Sequence, residues 1–216
     1  MDIIQALNEG FIKTLEVFVF TLLGSIPLGL CIALCVLGKN KIVKGFFEIL
    51  IWVIRGTPLM LQLLVIYYGP GLIFNNNIWQ ASNGRMLATL TAFIINYACY
   101  FAEIFRGGIN SVPKGQQEAG EVLGMNKKQI FFKIVLLQVI KNIVPPMANE
   151  IITLVKDTSL ARTISVYEII WNGQSFIKAR GLIWPLFFTG IYYLLFCGIL
   201  TLIFNKWEKQ LKYFGK

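Results

Sequence analysis

Five stretches of this chain, at 11–37, 46–68, 86–105, 130–155 and 182–204, stay apolar for about the length that crosses a lipid bilayer, near 20 residues. No other feature narrows the fold as much. The hydrophobic share is 56% of 216 residues, above the roughly 45–50% of a soluble domain, and the excess is concentrated in these runs. The chain is therefore expected to be an all-α membrane protein of five transmembrane helices, forming one domain over 1–216.

The breaks between runs are chemically distinct. The first run ends at Gly38-Lys39-Asn40-Lys41, and the second stops at Gly69-Pro70-Gly71. A polar turn at Asn75-Asn76-Asn77 follows, with Trp79 as an interfacial anchor. Residues 1–10 carry two acids and no Lys or Arg, unlike the basic start of a secretory signal, so the first run is read as a span.

The fourth run contains Lys141, Asn142, Pro145-Pro146, Asn149 and Glu150. At 3.6-residue periodicity Asn142, Asn149, Glu150, Thr153 and Asp157 fall close to one helix face. Such a stripe is costly against hydrocarbon, so it is expected to face protein or a water-filled path.

Counting Lys and Arg orients the chain. With the first and third loops and the C-terminus cytoplasmic, twelve cations lie inside: Lys39, Lys41, Lys44, Arg106, Lys114, Lys127, Lys128, Lys133, Lys206, Lys209, Lys212 and Lys216. Six lie outside: Lys13, Arg85, Lys156, Arg162, Lys178 and Arg180. The expectation is a multi-pass bacterial plasma-membrane protein with its N-terminus outside and its C-terminus in the cytoplasm.

Several functions are disfavoured. The chain has no histidine, which removes His-based acid–base chemistry and His metal ligands. Cys31, Cys35, Cys99 and Cys197 sit in apolar stretches without metal-ligand spacing. The net charge of +9 comes from cations at the ends of apolar runs, where topology explains them better than nucleic acid does. No Gly-x-x-x-x-Gly-Lys-Ser/Thr loop is present to cradle a nucleotide's phosphates.

Between the third and fourth runs, at 106–128, lies a polar segment in which Pro113 suits a helix start and Gly124 a helix end. On physics alone it is a structured cytoplasmic loop able to dock a partner. Glu118-Ala119-Gly120, three residues, Gly124, nine residues and then Ile134-Val135-Leu136 resembles the EAA loop of ABC importer permeases. Two positions depart from that pattern, Gly120 in place of the second alanine and Leu137 in place of a proline. Gly120 is expected to loosen the helix by up to about 1 kcal/mol.

Three further segments resemble the polar amino-acid branch, the histidine/glutamine/arginine permeases. These are Arg55-Gly56-Thr57-Pro58-Leu59 with Gln62, Ala102-Glu103-Ile104-Phe105-Arg106-Gly107-Gly108, and Lys156-Asp157-Thr158-Ser159-Leu160. The resemblance spans about residues 14 to 212.

The resemblance implies the type I (MetI-like) ABC importer fold, paired with a second permease, identical or homologous. It also implies two cytoplasmic ATPase subunits and an extracellular solute-binding protein that delivers an amino acid. ATP and Mg would bind the ATPase, with no cofactor in this chain. Glu118, Ala119, Gly120 and Gly124 would couple to the ATPase. A secondary transporter would usually show internal repeats, which are absent here, and a membrane enzyme would need clustered catalytic groups.

Individual charges have competing readings. Arg55 either binds carbonyls at a helix break or contacts substrate. Glu103 and Arg106 are three residues apart and are expected to pair with each other. Asp157 either caps a helix or holds a substrate ammonium. Glu150 and Asp157 lie about 10 Å apart along a helix, broadly the scale of an amino acid with a cationic side chain. The expected substrate is thus a basic amino acid, with Glu150 nearer the side-chain cation and Asp157 nearer the α-ammonium. Asn149, Thr153, Thr158, Ser159 and Arg55 complete the expected site. A pairing of Glu150 with Lys141 or Lys156 is the structural alternative.

Overall fold

The computed structural model describes residues 3–76 and 78–212, and every regular element among them is helical. In chain order these are α1 (Ile3–Leu37), α2 (Lys41–Arg55), α3 (Leu59–Phe74), α4 (Gly84–Asn110), α5 (Lys114–Val122) and α6 (Lys127–Ile130). A π-helical turn (Phe131–Val135) leads into α7 (Leu136–Asp157), a 3-10 turn (Thr158–Ile164) follows, and α8 (Ile169–Arg180) and α9 (Trp184–Lys212) end the chain. Four helical stretches are long and apolar enough to cross a membrane, and a bent pair, α2 with α3, makes a fifth.

The second apolar run is thus not one straight span. Its halves meet at 105°, and Gly56-Thr57-Pro58 shows why. Pro58 has no N–H to continue the helix, and its ring drives Thr57 out of helical geometry. The first run also begins earlier than its hydropathy suggests, at Ile3. The loop after the fourth run is not plain loop either, since it holds the 3-10 turn and α8.

The centre of the bundle is the seam between α1 and α4. Ser25, Gly29 and Ala33 recur every four residues on α1, and Ala88, Ala92, Ala98 and Ala102 are buried on α4. Small residues let helix backbones approach closely in lipid, where no hydrophobic gain draws apolar helices together. At Gly29 the approach is extreme: a Cβ there would lie 2.8 Å from the Ala98 carbonyl oxygen and 2.9 Å from the Phe101 Cβ. Gly24 meets Ile94 one step earlier, so the two helices run parallel. Phe93, Tyr97 and Phe101 fill the layer beside this seam.

The other helices alternate in direction. α7 runs antiparallel to α4, as Gly108 meets Ile143 at one end and Tyr97 meets Asp157 at the other. α3 is also antiparallel to α4, with Gln62 beside Asn96. α8 closes the end of the bundle opposite α5. There Glu168, fully buried, caps α8 by accepting from the Ile170 and Trp171 amides, while Asn172 donates to the Ala6 carbonyl. Burial pushes the Glu168 carboxyl above its ordinary range, opposed by those two amides. The ends of α1, α4 and α9 and the start of α7 therefore share one face with α5, and the start of α1 shares the other with α8.

Candidate transport site and docking helix

The broken span exposes backbone groups that a continuous helix would satisfy internally, and the Thr57 hydroxyl, which donates to the Val53 and Ile54 carbonyls, shares them with Gln62. Its Nε2 donates to the Ile54 carbonyl at 2.7 Å, to the Thr57 carbonyl at 3.1 Å and to the Thr57 hydroxyl at 2.9 Å. Its Oε1 accepts from Asn96 Nδ2 at 3.0 Å, fixing the break to α4. The break is thus a built feature rather than a frayed end.

A cavity of about 590 Å³ opens beside it. Arg55 through Met60 form one wall, Asn96, Tyr97 and Tyr100 of α4 a second, and Glu150, Thr153 and Asp157 of α7 a third, with Leu160 at the rim. The volume lies in the usual small-molecule range, about 300–1,000 Å³. Three membrane helices thereby bring one guanidinium and two carboxylates to a common space. Tyr97 donates its hydroxyl to Asp157 Oδ2 at 2.8 Å. Glu150 makes no ion pair among the described residues, with Lys141, Lys156 or any other cation. The Arg55 guanidinium lies 5.1 Å above the Tyr100 ring, with Nη1 3.8 Å from Glu103 Oε2. Glu103 also pairs with Arg106, which donates through Nη2 at 2.7 Å and Nε at 3.1 Å.

Of the residues singled out from the sequence, Arg55, Glu150, Thr153 and Asp157 meet at this cavity. Asn149, Thr158 and Ser159 do not line it. The Asn149 side chain is exposed, and the Thr158 and Ser159 hydroxyls donate to the Val155 and Lys156 carbonyls. Asp157 faces Tyr97, and its side chain does not cap the 3-10 turn. Asn142 sits further along α7 and donates to Ser111. Sequence reasoning passed over Asn96, Tyr97 and Tyr100. Their signal was present: a lone amide in the third span, with two tyrosines three residues apart on the face that the Asn96–Gln62 bond turns toward the break.

At the far end of α4, α5 packs one face on the start of the fourth span and leaves Glu118 and Ala119 exposed. Its end is a Schellman motif: Met125 N–H donates to the Gly120 carbonyl and Gly124 N–H to the Glu121 carbonyl. Gly124 holds the left-handed φ of +74° that this turn requires. Gly120 is buried, and a Cβ there would come within 2.8 Å of Ile130 Cγ1. The glycine that was expected to loosen α5 instead lets it sit close against the start of the fourth span. Beside it Val122 and Leu123 are 88% and 77% exposed, an apolar tip outside the membrane helices. Apolar groups held in that position suit a partner's cleft better than water.

A polar cavity at a broken span and a helix presented beyond the bundle are features that a membrane transport subunit would need. The protein belongs to the family described as "Binding-protein-dependent transport system inner membrane component", which matches residues 25–213. Among its relatives is the L-cystine transport system permease TcyB of Bacillus subtilis, 33% identical over 95% of this chain and 86% of that one. Another is the arginine transport system permease ArtQ of the same organism, 32% identical over 94% and 91%. A putative glutamine transport permease GlnP of Rickettsia prowazekii is 32% identical over 77% and 74%. Among solved structures, an amino acid ABC transporter with histidines aligns at a TM-score of 0.85 and 28% identity, covering 97% of this chain and 99% of that one. An inward-facing MetNI methionine ABC transporter aligns at 0.72 and 15% identity, a likeness of fold alone. The fold is that of a type I ABC importer permease.

Proposed function

We propose that this chain is the membrane subunit of an ATP-driven amino-acid importer and that its preferred substrates are basic amino acids. The observation that carries the substrate class is Glu150, a carboxylate that forms no ion pair among the described residues, in a cavity that already contains Asp157 and a single guanidinium. A zwitterion with an extra positive charge complements that set: its α-carboxylate meets Arg55, its α-ammonium Asp157 and its side-chain cation Glu150. Relatives named for arginine, glutamine and cystine and a structure with histidines support the amino-acid class. Membership of the family supports the partners. An ATPase receives α5, a second permease completes the path, and a solute-binding protein delivers substrate from outside.

Transport into proteoliposomes by the assembled complex tests the substrate reading. Glu150→Gln is expected to lower uptake of arginine by about ten-fold or more, the scale of one lost desolvated charge partner, while glutamine uptake changes by less than about three-fold. Equal loss of both would make Glu150 a structural residue and leave the substrate a polar amino acid of unassigned charge.

The proposed orientation places Asn76 and Lys178 outside and Lys114 inside. The N-terminal residue and Lys216, at the chain ends, and Asn77 lie outside the described residues. In a cysteine-free background, a membrane-impermeant thiol reagent applied to intact cells is expected to label cysteines at positions 76 and 178 and to spare one at 114. The reverse pattern would invert the topology.

A further inference from the structure

The cavity and the docking helix are joined by a three-residue charge chain that neither assignment above uses. Glu103 lies on α4 one turn beyond Tyr100 and one turn before Arg106. Arg106 holds it by two short hydrogen bonds, at 2.7 and 3.1 Å, along one edge. Arg55 reaches it only at 3.8 Å, beyond hydrogen-bond distance. The same Arg55 stacks on Tyr100 and lines the cavity. A guanidinium offers five donors in a planar fork, and its hold on Glu103 leaves most of them unused. Arg55 is therefore within reach of two carboxylates, one belonging to the protein and one to any amino acid in the cavity.

We infer that Glu103 competes with the substrate's α-carboxylate for Arg55, and that it thereby transmits cavity occupancy to the end of α4 that leads into α5. This rests on the reading of the cavity as the substrate site. When a substrate carboxylate draws Arg55 toward the cavity, Glu103 is left to Arg106 alone, one turn before α4 ends at Asn110. When Glu103 holds Arg55, the substrate must displace it to bind. Glu103 is a positioning residue that never touches substrate. Two consequences follow, and they have opposite signs. Removing the Glu103 charge frees Arg55 and tightens substrate binding, while removing Arg106 concentrates Glu103 on Arg55 and weakens it.

The test is equilibrium binding of radiolabelled L-arginine to the purified permease–ATPase complex without nucleotide. Glu103→Gln is expected to bind about two- to five-fold more tightly than the parent, the scale of a partly exposed ion pair. Arg106→Gln is expected to bind more weakly by a similar factor, and Glu103→Asp to stay near the parent. In an Arg55→Gln background the Glu103→Gln effect should vanish. A simple loss of structural support would weaken binding in both single variants, so tightening in Glu103→Gln separates the two explanations. If Glu103→Gln cannot be assembled, Glu103→Ala removes the same charge and takes its place, with the same tightening expected. Unchanged or weaker binding in Glu103→Gln, tighter or unchanged binding in Arg106→Gln, or tightening that survives Arg55→Gln would overturn the inference while leaving the cavity assignment intact. Parental binding by both Glu150→Gln and Arg55→Gln would instead show that the cavity is not the substrate site, and the competition would fall with it.

Discussion

Glu118→Lys combined with Gly124→Asp is expected to leave the permease inserted and folded but to abolish substrate-stimulated ATP hydrolysis. Neither residue belongs to a membrane helix, and both are exposed, so the membrane core has no reason to respond. The docking helix does. At Gly124 the backbone sits at φ +74°, a conformation that costs an L-residue with a Cβ roughly 1–2 kcal/mol. Escaping that cost means opening the Schellman turn, which holds the exposed Val122 and Leu123 in place. The lysine at 118 reverses the charge on the exposed face of the same helix. ATPase activity of the reconstituted complex should fall to its substrate-independent level, at least about ten-fold below the stimulated parent, while binding of arginine to the permease is retained. Full stimulation with both changes present would show that α5 is not the docking element.

The second large effect is on folding. Gly29→Leu is expected to prevent accumulation of a detergent-stable permease. A Cβ at 29 meets the Ala98 carbonyl at 2.8 Å and the Ala102 amide nitrogen at 3.2 Å, both backbone atoms that cannot rotate away. α1 and α4 would have to separate along the whole small-residue seam, a cost above about 3 kcal/mol and beyond ordinary overpacking. Gly24→Ala is a milder perturbation, because its neighbour at 2.6 Å is the flexible end of Ile94. Gly198→Ala, with nothing within 4 Å, should be neutral. Size-exclusion profiles and thermal melts in detergent rank the three. Normal yield and melting for Gly29→Leu would mean that the seam is not formed as described.

The spans were legible because hydropathy at bilayer length is a strong and local signal. The 105° break was not, although Gly56-Thr57-Pro58 stood in plain sight. An X-Pro step inside an apolar run is compatible with a kink or a full bend, and only Gln62 and Asn96, 34 residues apart, decide between them. The polar stripe of the fourth run was read correctly in period but too broadly. Glu150, Thr153 and Asp157 reach the cavity, whereas Asn142 bonds Ser111 and Asn149 turns outward. Helical spacing assigns a face; it does not say how wide a sector the neighbouring helices leave open. α8 went unseen because a twelve-residue helix of mixed polarity, capped by a buried glutamate, carries no hydropathy signature. Gly120 illustrates the reverse error. Its intrinsic helix cost was plain from sequence, while the close approach of Ile130 that makes a small residue useful there depends on the packed fold.

The locked seam between α1 and α4 has a mechanical corollary. Asn96, Tyr97 and Tyr100 project from the middle of α4, and α5 hangs from its end at Asn110. Thirteen residues of helix separate Tyr97 from Asn110, about 20 Å at 1.5 Å per residue. Packed against α1, that length is one continuous helix with the cavity wall at one point and the root of α5 at the other. A tilt of about ten degrees imposed at the docking end, pivoting near Asn110, sweeps Tyr97 through about 3–4 Å. A sweep of that size exceeds the 2.8 Å hydrogen bond by which Tyr97 grips Asp157 on the opposing helix. The packing that makes Gly29 intolerant of a side chain therefore ties Tyr97, and its grip on Asp157, to the orientation of the helix end that carries α5.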